Sequence, residues 1–408
     1  MNWKALVVAA TLVVSVAGTP VAAAASTTQQ TSGEAQSGTF VSFQASDNAV
    51  TNYSVDGRTL VEEMSVQSAS EARAQAGADL GLSGGAGFSG AGLSVANGLD
   101  AGASTSATIE SSSGAEIVAH DNDRGIMVVS ANGESHVARF NGSDDAEAEQ
   151  ESEKRAVIQS DDDATATVIV VGDGNVSVSE DGNVTAMTEE DGKVVYRQYE
   201  GERDDSEEAQ ERMIANGTAV AEVYVQSAAD AAAADDGDDG DDTPTATPTD
   251  EPSDEAEQRS ADVVRYSEDT TVEVTERSAT RVNATVDRAE SEGKVVIMSV
   301  SETAFENADD ASVFVDGEAA AEADSYSEVR SATNDGETSK YLVRSSSSAE
   351  ATTDVVVGIN HFSEREVSMQ SEDDGDGEST ASDGQPGFGA GLAVVALVGA
   401  ALFARHRS

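Results

Sequence analysis

The sequence contains no cysteine, five prolines and one tryptophan, and it sets only 23 lysines and arginines against 77 aspartates and glutamates. Each shortage excludes something. Without cysteine there is neither a disulfide framework nor a cysteine for N-terminal lipid attachment, so stability outside a cell must come from packing and solvent conditions. The single tryptophan, Trp3, lies in the N-terminal apolar segment, and the few remaining aromatics leave little surface on which a sugar could stack. The scarcity of basic residues leaves no patch able to neutralise phosphates, which disfavours nucleic acid as a partner. The prolines are concentrated: Pro244, Pro248 and Pro252 share one short stretch, while Pro20 and Pro386 stand near the two ends.

What the chain has in excess is negative charge, with a formal net value of −54. Self-repulsion on that scale destabilises a compact domain in dilute buffer. At molar salt the Debye length shrinks to about 3 Å and most of the repulsion is screened. Acidic residues spread along the whole chain, with arginine preferred to lysine, therefore read as a surface adapted to high salt. A dedicated cation-binding protein is the alternative reading.

The order of segments adds an address. Lys4 precedes an apolar stretch from Ala5 to Val16, and the small residues of Val21–Ala25 follow. This is the pattern of a secretory signal peptide over residues 1–25, with cleavage expected at Ala24 or Ala25. Residues 228–260 combine runs of aspartate with the three clustered prolines and neighbouring threonines, a composition that predicts a disordered acidic linker. Its threonines are candidates for O-glycosylation. The linker divides a first β region (38–227) from a second (261–370), and an acidic spacer (371–385) leads to the C-terminal segment (386–408).

Both regions read as β structure. Asp-Gly pairs, which favour tight turns by tolerating positive φ, recur at Asp56-Gly57, Asp173-Gly174, Asp181-Gly182, Asp191-Gly192, Asp316-Gly317 and Asp335-Gly336. Between them lie short alternating segments such as NVSVSE, KVVYRQY, TTVEVTE and KVVIMSVS. An Asn132-Gly133 turn is expected to join IMVVS to SHVARF as a hairpin. One helix is predicted over Asp205–Ala215, with Asp205 and Glu208 as a capping box and Asn216-Gly217 as the stop. The fold class expected is mainly β: two β-sandwich or β-meander regions joined by a disordered acidic linker, with one short helix and a C-terminal transmembrane helix. The Gly/Ala/Ser-rich tract from Ala76 to Ala103 fits either tightly packed strands or a flexible segment.

Catalytic patterns are thin. Gly85–Gly90 matches GxGxxG without a βαβ context, and Gly81–Gly85 matches GxSxG around Ser83 without a strand before it and a helix after it. His120, His136 and His361 share no metal-ligand spacing, and the aspartate runs lack the ligand order of a calcium loop. His120-Asp121 reads more simply as a strand end beside a turn than as part of a triad. In VVYRQY, Tyr196 is expected in the core and Arg197 paired with local carboxylates, the alternative being a binding edge. No catalytic residue, metal ligand or cofactor is therefore assigned. Six Asn-Xaa-Ser/Thr sequons, at Asn52, Asn141, Asn175, Asn183, Asn216 and Asn283, are glycosylation candidates, most of them expected at turns.

The C-terminus is the most specific part. Pro386, Gly387 and Phe388 open a 17-residue apolar run, Phe388 to Ala404, and Arg405-His406-Arg407 follow. As a helix the run would span roughly 25 Å, the short end of a membrane crossing, with the terminal arginines inside and the rest of the chain outside. This order of parts resembles the tripartite Pro-Gly-Phe sorting signal (PGF-CTERM type) of archaeal surface proteins, here of the halophilic type. The resemblance implies recognition by an archaeosortase-type sorting protease, removal of the tail and lipid attachment near the cut. The expectation is a non-enzymatic, glycosylated surface protein on the outer side of the cytoplasmic membrane, with the membrane and cell-envelope or S-layer components as partners. A surface-tethered hydrolase using Ser83 or His120, or a cation- or ligand-binding receptor module, is the alternative.

Overall fold

In a computed structural model of the protein, the described residues are 35–76, 88–99, 104–161, 164–227, 259–334, 336–345 and 352–371. Residues 35–371 fall within one compact unit built around four β-sheets. The first sheet has seven strands in the order β1 (Ala35–Ser37), β2 (Val41–Ala45), β3 (Val50–Val55), β4 (Arg58–Ser68), β9 (His136–Gly142), β14 (Val184–Thr188) and β13 (Gly174–Val178). The second has eight: β10 (Ala146–Gln150), β11 (Arg155–Ser160), β12 (Thr165–Val171), β15 (Lys193–Tyr199), β8 (Met127–Ser130), β7 (Glu116–His120), β6 (Ser106–Ser111) and β5 (Leu93–Asn97).

The third sheet has six strands: β17 (Arg259–Arg265), β16 (Ala219–Ser227), β20 (Glu292–Ser301), β25 (Thr352–His361), β24 (Lys340–Ser345) and β23 (Ala321–Glu322). The fourth has five: β18 (Thr270–Arg277), β19 (Arg281–Arg288), β26 (Arg365–Gln370), β21 (Ser312–Val315) and β22 (Glu318–Ala319). Among the described residues three α-helices accompany them, α1 (Ala69–Ala76), α2 (Asp205–Ala215) and α3 (Tyr326–Thr333). The mainly β expectation holds, while α1 and α3, at eight residues each, went unread in the sequence.

Three apolar layers show how the sheets stack. One joins the first and second sheets, with Tyr53 and Phe140 meeting Ile109, Ile117 and Tyr196. Another joins the third and fourth, with Val223, Met298 and Val357 meeting Val286, Val313 and Met369. The third layer lies between the second and third sheets and takes in the helices: Ile169 and Val195 share a cluster with Ile214 of α2, Val329 of α3 and Tyr224, Ile297 and Val356. The two inner sheets are thus covered on both faces, and their central strands β12, β15 and β16 are buried almost throughout. The outer sheets keep one wet face, so β2 and β14 alternate strictly. Each large apolar side chain withdrawn from water contributes about 1.5–3 kcal/mol.

Several expected connections are redrawn. Asp56-Gly57 and Asp316-Gly317 do form two-residue hairpin turns with both φ values positive, joining Val55 to Arg58 and Val315 to Glu318. Asn132-Gly133 also has two positive φ values, yet it links β8 in the second sheet to β9 in the first. It is a corner between sheets rather than a hairpin. The segments following Asp173 and Asp191 behave likewise: β13 and β14 pair in the first sheet, whereas β12 and β15, before and after them, pair in the second. Alternation marks a strand but does not say which sheet it joins.

The capping box of α2 is one residue earlier than expected. Asp204 is extended at φ −88° and ψ 174°, and its Oδ1 accepts from the amides of Ser206 and Glu207 at 2.8 Å each. Glu207 Oε2 returns a contact to the Asp204 amide at 2.8 Å.

The boundary between the regions also shifts. Ala219–Ser227, which the sequence assigns to the first region, is a strand of the third sheet, alongside strands of the second region. Its partners are β17, antiparallel from Ala221↔Arg265 to Ser227↔Arg259, and β20, in parallel. The acidic stretch 228–260 therefore begins and ends on adjacent strands of one sheet, and its last two residues already belong to β17. Residues 228–258 lie outside the described residues, as do the N-terminal signal, most of the spacer at 371–385 and the C-terminal segment. Among the described residues no helix is long and apolar enough to cross a membrane.

Candidate functional site

The interface between the second and third sheets carries a dense set of buried charges. Arg197, on the side of β15 opposite Tyr196, donates from Nη1 to Glu222 Oε1 of β16 at 2.7 Å, and both side chains are fully buried. Tyr224 OH donates to the other Glu222 oxygen at 2.7 Å. Burial works against the charged guanidinium, but Glu222 and the surrounding tyrosines outweigh it and hold Arg197 well above the usual arginine range. Tyr196 faces the other way, edge-on to Tyr53 and stacked on Phe140. Tyr196 takes the core position expected for it, whereas the carboxylate that pairs Arg197 is not local: it comes from β16 of the third sheet.

Two further acids anchor the same layer. Glu211 of α2 accepts from Thr167 Oγ1 and Tyr199 OH on Oε1, at 2.7 and 2.9 Å, and from Arg155 and Arg203 on Oε2, at 2.9 and 2.6 Å. Asp354 of β25 accepts from Arg124 Nη2 at 2.8 Å, Gln210 Nε2 at 2.7 Å and Ser299 Oγ at 2.8 Å. The guanidiniums of Arg124 and Arg197 lie 5.6 and 5.7 Å from the ring centre of Tyr199. Asp123, beside Arg124, has a carboxyl raised above its ordinary range by burial, with Arg124 opposing the shift.

The histidines have separate assignments. His120 is 6 % exposed, and its Nδ1 meets the Asp262 carboxylate at 3.0 and 3.1 Å, a carboxylate that also accepts from Asn122 Nδ2 at 3.0 Å. Asp121, its sequence neighbour, turns away and accepts the backbone amides of Thr39, Phe40 and Val41. His136 faces the carbonyls of Glu134 and Ser113 at 2.8 and 3.0 Å. His361 sits exposed at the end of β25 against Arg365. Among the described residues no three His, Cys, Asp or Glu side chains converge as a metal site. Ser83 and Gly81–Gly87 lie outside the described residues.

None of the six sequon asparagines is in the core. Asn52 and Asn216 are exposed and the other four half-buried. Their placement differs from expectation, because Asn52, Asn141, Asn175 and Asn283 lie within strands and only Asn183 and Asn216 occupy turns. Two of the strand asparagines make side-chain contacts to acids, Asn141 to Glu63 at 3.3 Å and Asn283 to Glu276 at 2.9 Å. Asn216 caps the C-terminus of α2 and accepts from the amide and hydroxyl of Thr218 at 3.1 and 2.6 Å.

Two open cavities of about 460 Å³ each contrast in charge. One lies between Ser152–Lys154, the end of α2 and the start of α3, and its lining includes Lys154, Arg212 and Arg330 with no acidic residue. The other is lined by Glu302, Glu306, Asp309 and Asp310 with no basic residue. The basic cavity draws on segments far apart in the chain, whereas the acidic one is lined by residues 302–310 with Thr353 added.

Comparison with known families assigns the chain to a class: a surface protein anchored at the cell membrane through its C-terminus. The match is to the PGF-CTERM motif, over residues 385–407, a range that contains Pro386, Gly387, Phe388 and the apolar run. This motif implies processing by an archaeosortase-type protease. No curated protein matches the chain.

Proposed function

We propose that this chain is a non-enzymatic, glycosylated cell-surface protein of a halophilic archaeon, displaying its four-sheet unit for envelope structure, adhesion or contact with other surface components. The observation that carries the reading is the PGF-CTERM motif at residues 385–407 on a chain whose net charge is −54. Envelope components, S-layer among them, are its proposed partners at that address. The positions of the sequons outside the core are compatible with glycans, and the acidic composition fits a high-salt exterior. A hydrolase reading would use the His120–Asp262 pair. That pair lies inside the layer between the sheets, where its hydrogen bonds join β7 to β17.

Mass spectrometry of the membrane-associated protein tests the proposal. The expected result is an N-terminus just after Ala24 or Ala25, loss of the residues beyond the Pro-Gly-Phe motif, and added sugar mass on sequon peptides. A peptide running intact to Ser408, together with six unmodified sequons, would overturn both processing and glycosylation. Salt adaptation has its own test: circular dichroism should show the β signal at molar salt and its loss on dilution.

A further inference from the structure

We propose that the basic cavity between Ser152–Lys154, α2 and α3 binds an oxyanion, the carboxylate or sulfate of a saccharide or of a free ion. The argument starts from scarcity. Basic residues number 23 in 408, yet Lys154, Arg212 and Arg330 come together around one opening that no acidic side chain lines. In a chain of net charge −54, such a lining spares an anion the repulsion that an acidic surface would impose.

The three cations differ in availability. Lys154 Nζ donates to the Gly172 carbonyl, which fixes its position, and among the described residues no carboxylate bridges it. Arg212 shares Glu208 at 3.1 Å across an exposed helical turn, a solvent-screened pair that an incoming anion can compete for. Arg330 is exposed, and among the described residues no carboxylate bridges it. It is therefore the residue expected to contribute most.

The rest of the lining suits an oxyanion. Tyr326 and Ser327 open the first turn of α3, where the helix dipole is positive and no side chain of Ser325 caps the amides, while Glu328 of the same turn is not part of the lining. Tyr326 is anchored by Gln210 Nε2 at 3.4 Å, so its ring is a positioned wall of the cavity. Asn216 forms part of the lining too, so a saccharide attached there would begin within reach of the three cations. The anion site itself does not depend on that glycosylation.

The test is isothermal titration calorimetry of the full chain in molar potassium chloride. There long-range attraction is screened to about 3 Å, so contact recognition is what remains. Sulfate and glucuronate are the probes, and glucose is the neutral control. One-site saturable binding of at least one anion, without glucose binding, is expected. Tighter sulfate binding assigns a free ion, and tighter glucuronate binding assigns an anionic sugar. Arg330→Gln should weaken that affinity about tenfold, the loss of one charge-assisted hydrogen bond, and adding Arg212→Gln should abolish it. Arg330 is exposed, so the single variant tests the site even if the double variant folds poorly. Absence of saturable binding for both anions, equal binding of glucose, or an unchanged affinity in Arg330→Gln would overturn the proposal.

Discussion

The outer layers of this protein and its middle layer solve the same packing problem with different chemistry. Between the first and second sheets, contact is made by aliphatic side chains and five aromatics, Phe40, Phe43, Tyr53, Phe140 and Tyr196. Between the second and third sheets the apolar cluster is interrupted by Arg197–Glu222, Arg124–Asp354, His120–Asp262 and the four donors of Glu211. An apolar layer tolerates small sliding movements, because its contacts are not directional. A layer of charge-assisted hydrogen bonds does not. The difference explains how the second and third sheets are fixed in one register: Arg197–Glu222, Arg124–Asp354 and His120–Asp262 each tie a residue of the second sheet or its β7–β8 connection to a strand of the third.

The largest expected effect comes from breaking that middle layer on one side only. Glu222→Gln leaves Arg197 buried with its charge, and Glu222 is the only carboxylate bridging it among the described residues. Removing one partner of a buried pair typically costs about 3–5 kcal/mol. Guanidinium chloride unfolding at fixed molar salt should show a loss of that size. Replacing both partners, as Arg197→Met with Glu222→Leu, should recover most of it, because an apolar pair of similar volume avoids desolvation. A single-variant loss under about 1 kcal/mol would mean that water already reaches the pair, and the contrast between the layers would fail.

The outer layers offer a smaller and more uniform response. Ile117 is fully buried within the first core, and Ile117→Val should cost about 0.5–1.5 kcal/mol, the usual effect of deleting one buried methylene. The same unfolding measurement checks it. A value near that of Glu222→Gln would show that the apolar layer is as unforgiving as the charged one.

How far the sequence foretold this arrangement follows from the same contrast. β14 reads as Val-Thr-Ala-Met-Thr and alternates in burial, with polarity following that alternation through Val184, Thr185 and Ala186, so a strand is legible there. β15 reads as Lys-Val-Val-Tyr-Arg-Gln-Tyr, and the face bearing Lys193, Arg197 and Tyr199, which its two charges alone give to solvent, is covered by the third sheet. β16 hides Glu222 in the same way. Nothing local distinguishes an arginine that meets water from one that meets a glutamate on another sheet. The division into two separate regions was therefore the natural reading of the proline-bearing acidic stretch, and strand pairing on either side of that stretch corrects it. The C-terminal motif, by contrast, depends on contiguous residues and was fully legible.

A pH measurement sharpens the comparison further. Asp123 Oδ2 accepts from Thr352 Oγ1 at 3.2 Å, its Oδ1 is buried, and burial raises its carboxyl above the ordinary value. The folded state thus holds this proton more tightly than the unfolded state does. Its contribution to stability is fully present below the unfolded carboxylate value of about 4 and is lost as pH rises through the raised folded value. Asp123→Asn fixes a neutral group at the site. Relative to wild type, the variant should therefore lose less stability as pH climbs across that interval. Parallel pH profiles for the two proteins would remove Asp123 from the account.

The smallest effect belongs at the surface, on the same helix that supplies Glu211 to the middle layer. Arg212 and Glu208 pair at 3.1 Å on the exposed face of α2, with side chains 53 and 37 % exposed. Exposed helical pairs of this spacing contribute about 0.3–0.5 kcal/mol at ordinary ionic strength, and screening at molar salt reduces even that. Arg212→Gln should leave the unfolding midpoint within error of wild type, whereas removing Glu211, one residue away and turned inward, strips four donors of their acceptor. If the two substitutions destabilised equally, burial would not be what separates the charged seam from the charged surface. If Arg212→Gln is silent, the residue is free to serve the basic cavity beside it at no cost to the fold.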